Sequence, residues 1–319
     1  MQIRVKNALS IEHTAVINPK EGAENVDGSN YAALIQAGKI TFDKNNSSLT
    51  VDKAVLVECS DEASQANMNG VASKTKNANG LITIAGTACS GGYGNETEFN
   101  LGTYTYAMED MYPAAGDYDM NDVVLVVDHK GKARNGYVTE VTLHCTLLAT
   151  GATKTISGYM QLDGVPAGDV SGDKKVSGTE YAVVSLFESS HALLEAPARQ
   201  PVNTDKQGAT VAAKTWDATL TFLPNSFESS QLKIENMNFF IKADGMEIHL
   251  PSYKAMDGSA PGYKTQTEIW GIRIPGTFRY PIESVRISEA YPLFSDWVSS
   301  NKGRSIEWYR EPNEELIYN

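Results

Sequence analysis

Residues 116–122 read GDYDMND, so Asp117, Asp119, Asn121 and Asp122 crowd into one short stretch directly ahead of the apolar run VVLVV. At about 6 Å and an effective dielectric of 20, each like-charge pair costs on the order of 2–3 kcal/mol, and full hydration brings that well below 1 kcal/mol. Such a cluster has two physical readings. It is a solvated bend of nested Asx turns, or it is a loop whose oxygens surround a cation. Calcium takes six to eight oxygen ligands from flexible loops, and acidic or amide side chains at i, i+2 and i+4 point inward when a loop curls round an ion. Asp117, Asp119 and Asn121 have that spacing. The loop is not an EF-hand: Asp122 stands at the sixth position, where a glycine is expected, and Asp128 at the twelfth is separated from the cluster by five apolar residues. Further ligands must come from elsewhere, and Glu109 and Asp110, across the bend MYPAAG, are the nearest candidates.

A second stretch, DVSGDKKVSGTE at 169–180, places Asp169, Ser171, Asp173 and Glu180 at calcium-loop positions. Lys174 replaces the expected glycine, and Lys174 and Lys175 bring positive charge beside the ion, so the stretch reads better as a polar hairpin. The five histidines show no HExxH and no paired spacing that would mark a zinc site. Glu247 and His249 share one side of MEIHLP, which reads as a solvent face or, alternatively, a second binding surface. GxSxG, the P-loop and a strand-following GxGxxG are all absent. Two carboxylates could serve a carbohydrate-acting enzyme, but Asp117 and Asp122 are too close in sequence to hold separated acid and base roles. The aromatic residues Trp270, Tyr280, Tyr291, Trp297, Trp308 and Tyr309 could stack on sugars or fill a core.

The elements that must carry these residues are strands. The segment YVTEVTLHCTLLATG alternates along its length, with Val141, Leu143, Cys145 and Leu147 on one side, which makes Cys145 a core thiol. It pairs with 123–128 across the turn HKGKARNG. Further strands are expected in 49–59, 80–88, 154–162, 180–187, 216–222, 237–243, 246–251 and 269–275, with Asp244-Gly245 as a hairpin turn. Two helices are expected, at 30–38 and within SEAYPLFSDWVSSN, while 59–80 is a long loop or a helix-containing insertion and 89–100 a domain boundary or deep loop. No internal repeat stands out. The fold class is therefore all-β: antiparallel β-sandwiches, Ig-like or jelly-roll-like, in two β domains (1–100 and 101–319) with a few short helices. A formal net charge of −12 disfavours a nucleic-acid partner. No apolar run reaches a transmembrane length, and the opening residues carry no export signal. An odd count of three cysteines leaves at least one thiol free.

The segment MEDMYPAAGDYDMNDVVL resembles the signature of the LruC-domain proteins. EIHLPSYKA, WGIRIPGTFRYPIESVRISEAYPLFSDWVSS and the closing WYREP and IYN resemble later blocks of the same family, so the likeness covers about 101–319. Tyr112, where tryptophan is common, and Ser252, where glycine is common, are mild departures. The resemblance implies an exported protein of the Gram-negative envelope, often a lipoprotein at the outer membrane or cell surface, associated with adhesion and with no established enzymatic activity. Carried over by motif position, it implies a structural Ca²⁺ held by Glu109, Asp110, Asp117, Asp119, Asn121 and Asp122. It leaves Glu247 and His249 without a settled role. The partner expected is a glycan or protein ligand; a carbohydrate-acting enzyme and a fibre subunit assembled by strand donation are the alternatives.

Overall fold

Period-two burial is clearest in the strand Tyr137–Ala149, whose inward positions alternate with partly exposed ones. The computed structural model describes residues 2–18, 33–42, 47–51, 55–59, 68–69, 73–75, 96–134, 136–256 and 269–318. The strand expected at 80–88 lies outside them. The chain divides into two compact units, Met1–Thr97 and Glu98–Asn319.

In the first unit, strands β1 (Gln2–Ile11), β2 (Ala15–Ile17), β3 (Ala33–Phe42), β4 (Leu49–Val51), β5 (Val55–Cys59), β6 (Met68–Asn69) and β7 (Ser73–Thr75) alternate between two sheets. One has the order β1-β3-β5-β7 and the other β2-β4-β6. All of these pairings are parallel, so the antiparallel expectation does not hold for this unit. The chain winds in coils, with Ala33, Ile35, Ala37, Ile40, Leu49, Val51, Val55 and Val57 in one core. Of the helix expected at 30–38, the described residues 33–38 are instead part of β3, and 30–32 lie outside the described residues. Ala33, Ile35 and Ala37 are buried at alternate positions, and the ladders to β1 and β5 override a weak helical pattern.

The second unit is the expected antiparallel sandwich. Its strands are β8 (Glu96–Met108), β9 (Val123–Arg134), β10 (Tyr137–Ala149), β11 (Ile156–Pro166), β12 (Val170–Gly172), β13 (Val176–Ser177), β14 (Tyr181–Phe187), β15 (Lys214–Phe222), β16 (Met237–Ala243), β17 (Met246–His249) and β18 (Gly271–Pro275). They form a six-stranded sheet, β12-β15-β10-β9-β8-β18, and a five-stranded sheet, β13-β14-β11-β16-β17. The inward positions of both sheets meet in one core that includes Tyr106, Leu125, Leu143, Cys145, Met160, Leu220, Phe239 and Ile241. Burying each large apolar side chain there contributes about 1.5–3 kcal/mol.

β9 runs through His129–Arg134, so HKGKARNG is mostly strand, and β10 follows from Tyr137. Asp244 (φ 46°) and Gly245 (φ 88°) form the predicted turn between β16 and β17, both with the positive φ that a type I′ turn requires. Short helices α1 (Ser190–Leu193), α2 (Ile287–Ala290) and α3 (Phe294–Ser299) complete the unit, the last two within the segment expected to be helical.

The C-terminal segment covers the outer face of the six-stranded sheet at one end. Phe278, Tyr280, Tyr291, Phe294, Trp308 and Ile317 join Ala107, Val124, Ile272 and Ile274 in a second core. This explains the unbroken VVLVV run: Val123 and Leu125 face the sandwich while Val124 faces the C-terminal cover. Most of the C-terminal aromatics are thus core residues, with Trp297 and Tyr309 partly buried at its margin.

Candidate metal centre

The acidic loop joins two adjacent strands. β8 ends at Met108, Glu109 and Asp110 follow at once, and Asn121 and Asp122 lead into β9. The loop is pinned on all sides. Glu109 N–H donates to Trp270 O at 2.9 Å, and Trp270 Nε1 donates to Ala114 O at 3.0 Å, with Tyr112 packed edge-on against the indole. The peptide between Tyr112 and Pro113 is cis. Tyr118 (φ 58°) and Met120 (φ 56°) both sit in the left-handed region, which costs on the order of 1–2 kcal/mol for each non-glycine residue. Met120 is fully buried in the second core, which holds this backbone in place.

One oxygen each from Glu109, Asp117 and Asp119 lies within 4.8 Å of the others, close enough for all three to hold a single metal ion. Glu109 is completely buried, Asp119 is buried and Asp117 opens to solvent. Glu109 Oε1 accepts from Met120 N–H at 2.6 Å, whereas Oε2 is buried with no hydrogen-bond partner. Gly116 makes room for that oxygen, since a Cβ there would stand 2.7 Å from it. Asp119 is oriented by Asn121 N–H (3.2 Å) and Ser284 N–H (2.8 Å). Burial, followed by the charge of Asp119, pushes Glu109 up to about 8. Burial, followed by the charge of Asp117, pushes Asp119 up to about 7. Without a counter-charge the folded loop therefore resists full ionisation.

The other three predicted ligands are placed differently. Asp110 is raised by burial but offset by Lys154, whose Nζ lies 3.3 Å from its carboxylate and 2.6 Å from its carbonyl. Asp122 accepts from Asp110 N–H at 2.7 Å and is held well above the usual carboxylate range by burial and then by Glu109. Asn121 donates to Pro281 O at 3.2 Å and leaves its own oxygen unpartnered. Lys154, Trp270 and the 281–284 segment carry no local signal in the sequence and are brought to the loop by the sheet and its C-terminal cover. Glu283 arrives the same way, raised by burial and held by the Thr204 hydroxyl at 2.6 Å.

The remaining candidates are structural. His249 is 1% exposed, which corrects the solvent-face reading of MEIHLP. Its Nδ1 meets Asn238 Oδ1 at 2.9 Å, its Nε2 meets Glu247 Oε1 at 2.7 Å, and Phe240 stacks on the ring. Glu247 also accepts Met256 N–H at 2.8 Å, so the pair ties a loop to the sheet. The stretch 169–180 forms β12 and β13, and Asp173 accepts Thr219 N–H at 2.7 Å. Cys145 is a buried free thiol. Among the described residues no helix is long and apolar enough to cross a membrane.

A family model described as "Domain of unknown function (DUF4842)" matches residues 136–309. No curated protein sequence matches the chain. A solved structure described as a "Putative lipoprotein from Bacteroides ovatus" shares 18% identity, covers 70% of this chain and 76% of its own, and superposes with a TM-score of 0.57. That likeness is one of fold, and neither description names an enzymatic activity.

Proposed function

Since the chain belongs to the DUF4842 family, a domain of unknown function that brings no assigned activity, we propose from the site itself that it is a non-enzymatic surface protein stabilised by calcium. The observation that carries this reading is the buried Glu109 carboxylate, with Oε2 unpartnered and one of its oxygens within 4.8 Å of oxygens of Asp117 and Asp119. Oxygens of three carboxylates gathered within 4.8 Å of one another leave room for one ion among them, and an all-oxygen, carboxylate-rich set suits a hard cation such as Ca²⁺. The resemblance to LruC-domain proteins and the fold shared with the Bacteroides lipoprotein support a lipid-anchored envelope location. In that setting the loops would be presented to a glycan or protein ligand, as in adhesion.

Calcium binds only the folded loop, so millimolar calcium and a dissociation constant near 10 μM would stabilise it by about 2.7 kcal/mol. For a domain of this size that raises the melting temperature by roughly 5–10 °C. The test is tryptophan-monitored melting of calcium-loaded protein with and without EDTA. All four tryptophans (Trp216, Trp270, Trp297 and Trp308) lie in the second unit, so the signal reports that unit alone. Identical curves from protein verified as loaded would reject a structural calcium.

A further inference from the structure

Gln161, Val183 and Asn238 stand opposite one another on β11, β14 and β16. Their chain neighbours Met160, Leu162, Val184, Met237 and Phe239 fill the sandwich core, so these three take the other face of the five-stranded sheet. That face is nonetheless covered: Gln161 is 4% exposed, Val183 1% and Asn238 0%. Residues 252–256, which follow β17, are tied down to it. Asn238 Nδ2 donates to Lys254 O at 3.1 Å, and Met256 N–H donates to Glu247 Oε1 at 2.8 Å.

Between this stretch, β11 and the turn from β13 into β14 lies a cavity of about 280 Å³, with Gln161, Asp163, Thr179, Glu180, Tyr181 and Lys254 among its lining. Small-molecule sites run from about 300 Å³ upward, so the cavity suits a compact ligand of one ring. Asp163 is the fixed point of its wall. Gln161 Nε2 donates to Asp163 Oδ1 at 2.8 Å and Asn238 Nδ2 donates to the same oxygen at 3.3 Å. Both bonds fall on Oδ1, which leaves Oδ2 to accept from a ligand. Asn238 is itself held from behind, where its Oδ1 meets His249 Nδ1 at 2.9 Å and His249 Nε2 meets Glu247 Oε1 at 2.7 Å. The carboxylate is therefore oriented before any ligand arrives. Burial raises Asp163 above its ordinary value, against the lowering effect of the Gln161 and Asn238 bonds, so further hydroxyl donors would stabilise its charge.

The lining selects among ligand classes. An apolar ligand would leave Asp163 and Gln161 unpaired. An anion would meet the carboxylates of Asp163 and Glu180, and a cationic amine would serve those carboxylates but oppose Lys254 and offer nothing to the Gln161 amide N–H groups. A hydroxyl both donates and accepts, so neighbouring hydroxyls satisfy carboxylate, amide and ammonium together. We propose that this cavity binds one neutral sugar ring, free or at the end of a glycan, with Asp163 accepting from its hydroxyls, Gln161 and Lys254 donating to them, and the Tyr181 ring against its C–H face. The site rests on the surface-binding reading above and names its ligand class, and it shares no residue with the acidic triad.

The test is saturation-transfer NMR titration of the whole chain with the methyl glycosides of glucose, galactose, mannose, fucose, N-acetylglucosamine and N-acetylgalactosamine. Each is run with and without EDTA, and cadaverine and sulfate serve as charged controls. At least one glycoside should bind with a Kd of about 1 mM, the affinity that a ligand of roughly 13–16 non-hydrogen atoms commonly reaches. Asp163→Asn and Tyr181→Ala should each weaken it at least about fivefold, with circular dichroism confirming the fold. The exposed Lys254→Ala should weaken it at least about twofold and keeps the test open should Asp163→Asn not fold. No binding by any of the six glycosides overturns the proposal, as does binding that all three substitutions leave unchanged, or binding of cadaverine or sulfate alone. Glycoside binding in EDTA by protein whose melting ignores calcium would sustain this pocket and sink the calcium reading. Calcium-dependent melting with no glycoside bound would do the reverse. A glycoside bound and recovered cleaved would sustain the pocket and sink the non-enzymatic reading, so each fails separately.

Discussion

The triad makes a prediction about pH whose sign is opposite to ordinary acid denaturation. In cation-free protein Glu109 titrates at about 8 when folded, against 4.5 for an unperturbed carboxyl. Between those values the folded chain holds a proton that the unfolded chain has released, so stability falls as pH rises. The contribution is complete below about pH 4.5 and is lost by the time the pH passes about 8. At about 1.4 kcal/mol per unit the gap amounts to on the order of 5 kcal/mol, an upper bound once the loop relaxes and admits water. Asp119, at about 7 when folded against 3.8, acts in the same direction over a lower window. A net loss of roughly 3 kcal/mol between pH 5 and 8.5 corresponds to a drop of about 6–12 °C in melting temperature. Groups with lowered values act in the opposite direction: Glu247 and Asp128 at more acidic pH, and His129, pushed by burial down to about 4 from 6.5, up to about pH 6.5, so the carboxylate slope is read above about pH 6.5 and as the difference between wild type and Glu109→Gln. The assay is tryptophan-detected melting in EDTA from pH 5 to 8.5, on the wild type and Glu109→Gln. The wild type should slope downward, Glu109→Gln should flatten the slope, and saturating calcium should abolish it by favouring the ionised carboxylates. A wild-type curve in EDTA that is level or rises between about pH 6.5 and 8.5 refutes the reasoning, as does a slope that Glu109→Gln leaves unchanged.

Other expectations are simpler. Phe239→Ala, in the middle of the sandwich core, should cost about 3–5 kcal/mol in denaturant unfolding without altering calcium affinity. Gly245→Ala, at φ 88°, should cost about 1–2 kcal/mol by placing a Cβ in a left-handed turn, and Asp244→Gly at the neighbouring position should be close to neutral. Lys154→Met leaves the Asp110 carboxylate buried without its cation and should destabilise by about 1–3 kcal/mol in saturating calcium, measured by urea midpoint. Calcium binding near pH 6.5 should release protons, read as a calorimetric enthalpy that varies with the ionisation enthalpy of the buffer.

The sandwich was largely legible because its signals are local. β10 alternates over its whole length, β16 coincides with the expected 237–243, and Asp244-Gly245 is a turn that chemistry alone specifies. The first unit was not legible as parallel coils. Its successive rungs in one sheet begin at 2, 33, 55 and 73, and unequal spacing hides the repetition that would betray winding. The same holds for β3, whose Ala-Leu-Ile-Gln-Ala suits helix and strand about equally until neighbouring strands choose. At the site, the carboxylates could be found because they lie within fourteen residues of one another. Asp119 meets Ser284 and Asn121 meets Pro281 only through the path of the C-terminal segment, so half of the cage had no motif to announce it. His249 was misjudged for a related reason. Alternation predicts which side of a strand a residue takes, but not whether that side is covered.

The parallel winding of the first unit makes its length adjustable. Each rung touches only the rung before and the rung after it, and neighbouring strands stand about 4.8 Å apart. Inserting or deleting one whole turn of such a coil would lengthen or shorten the unit's own ladders by that fixed step while leaving every other register intact.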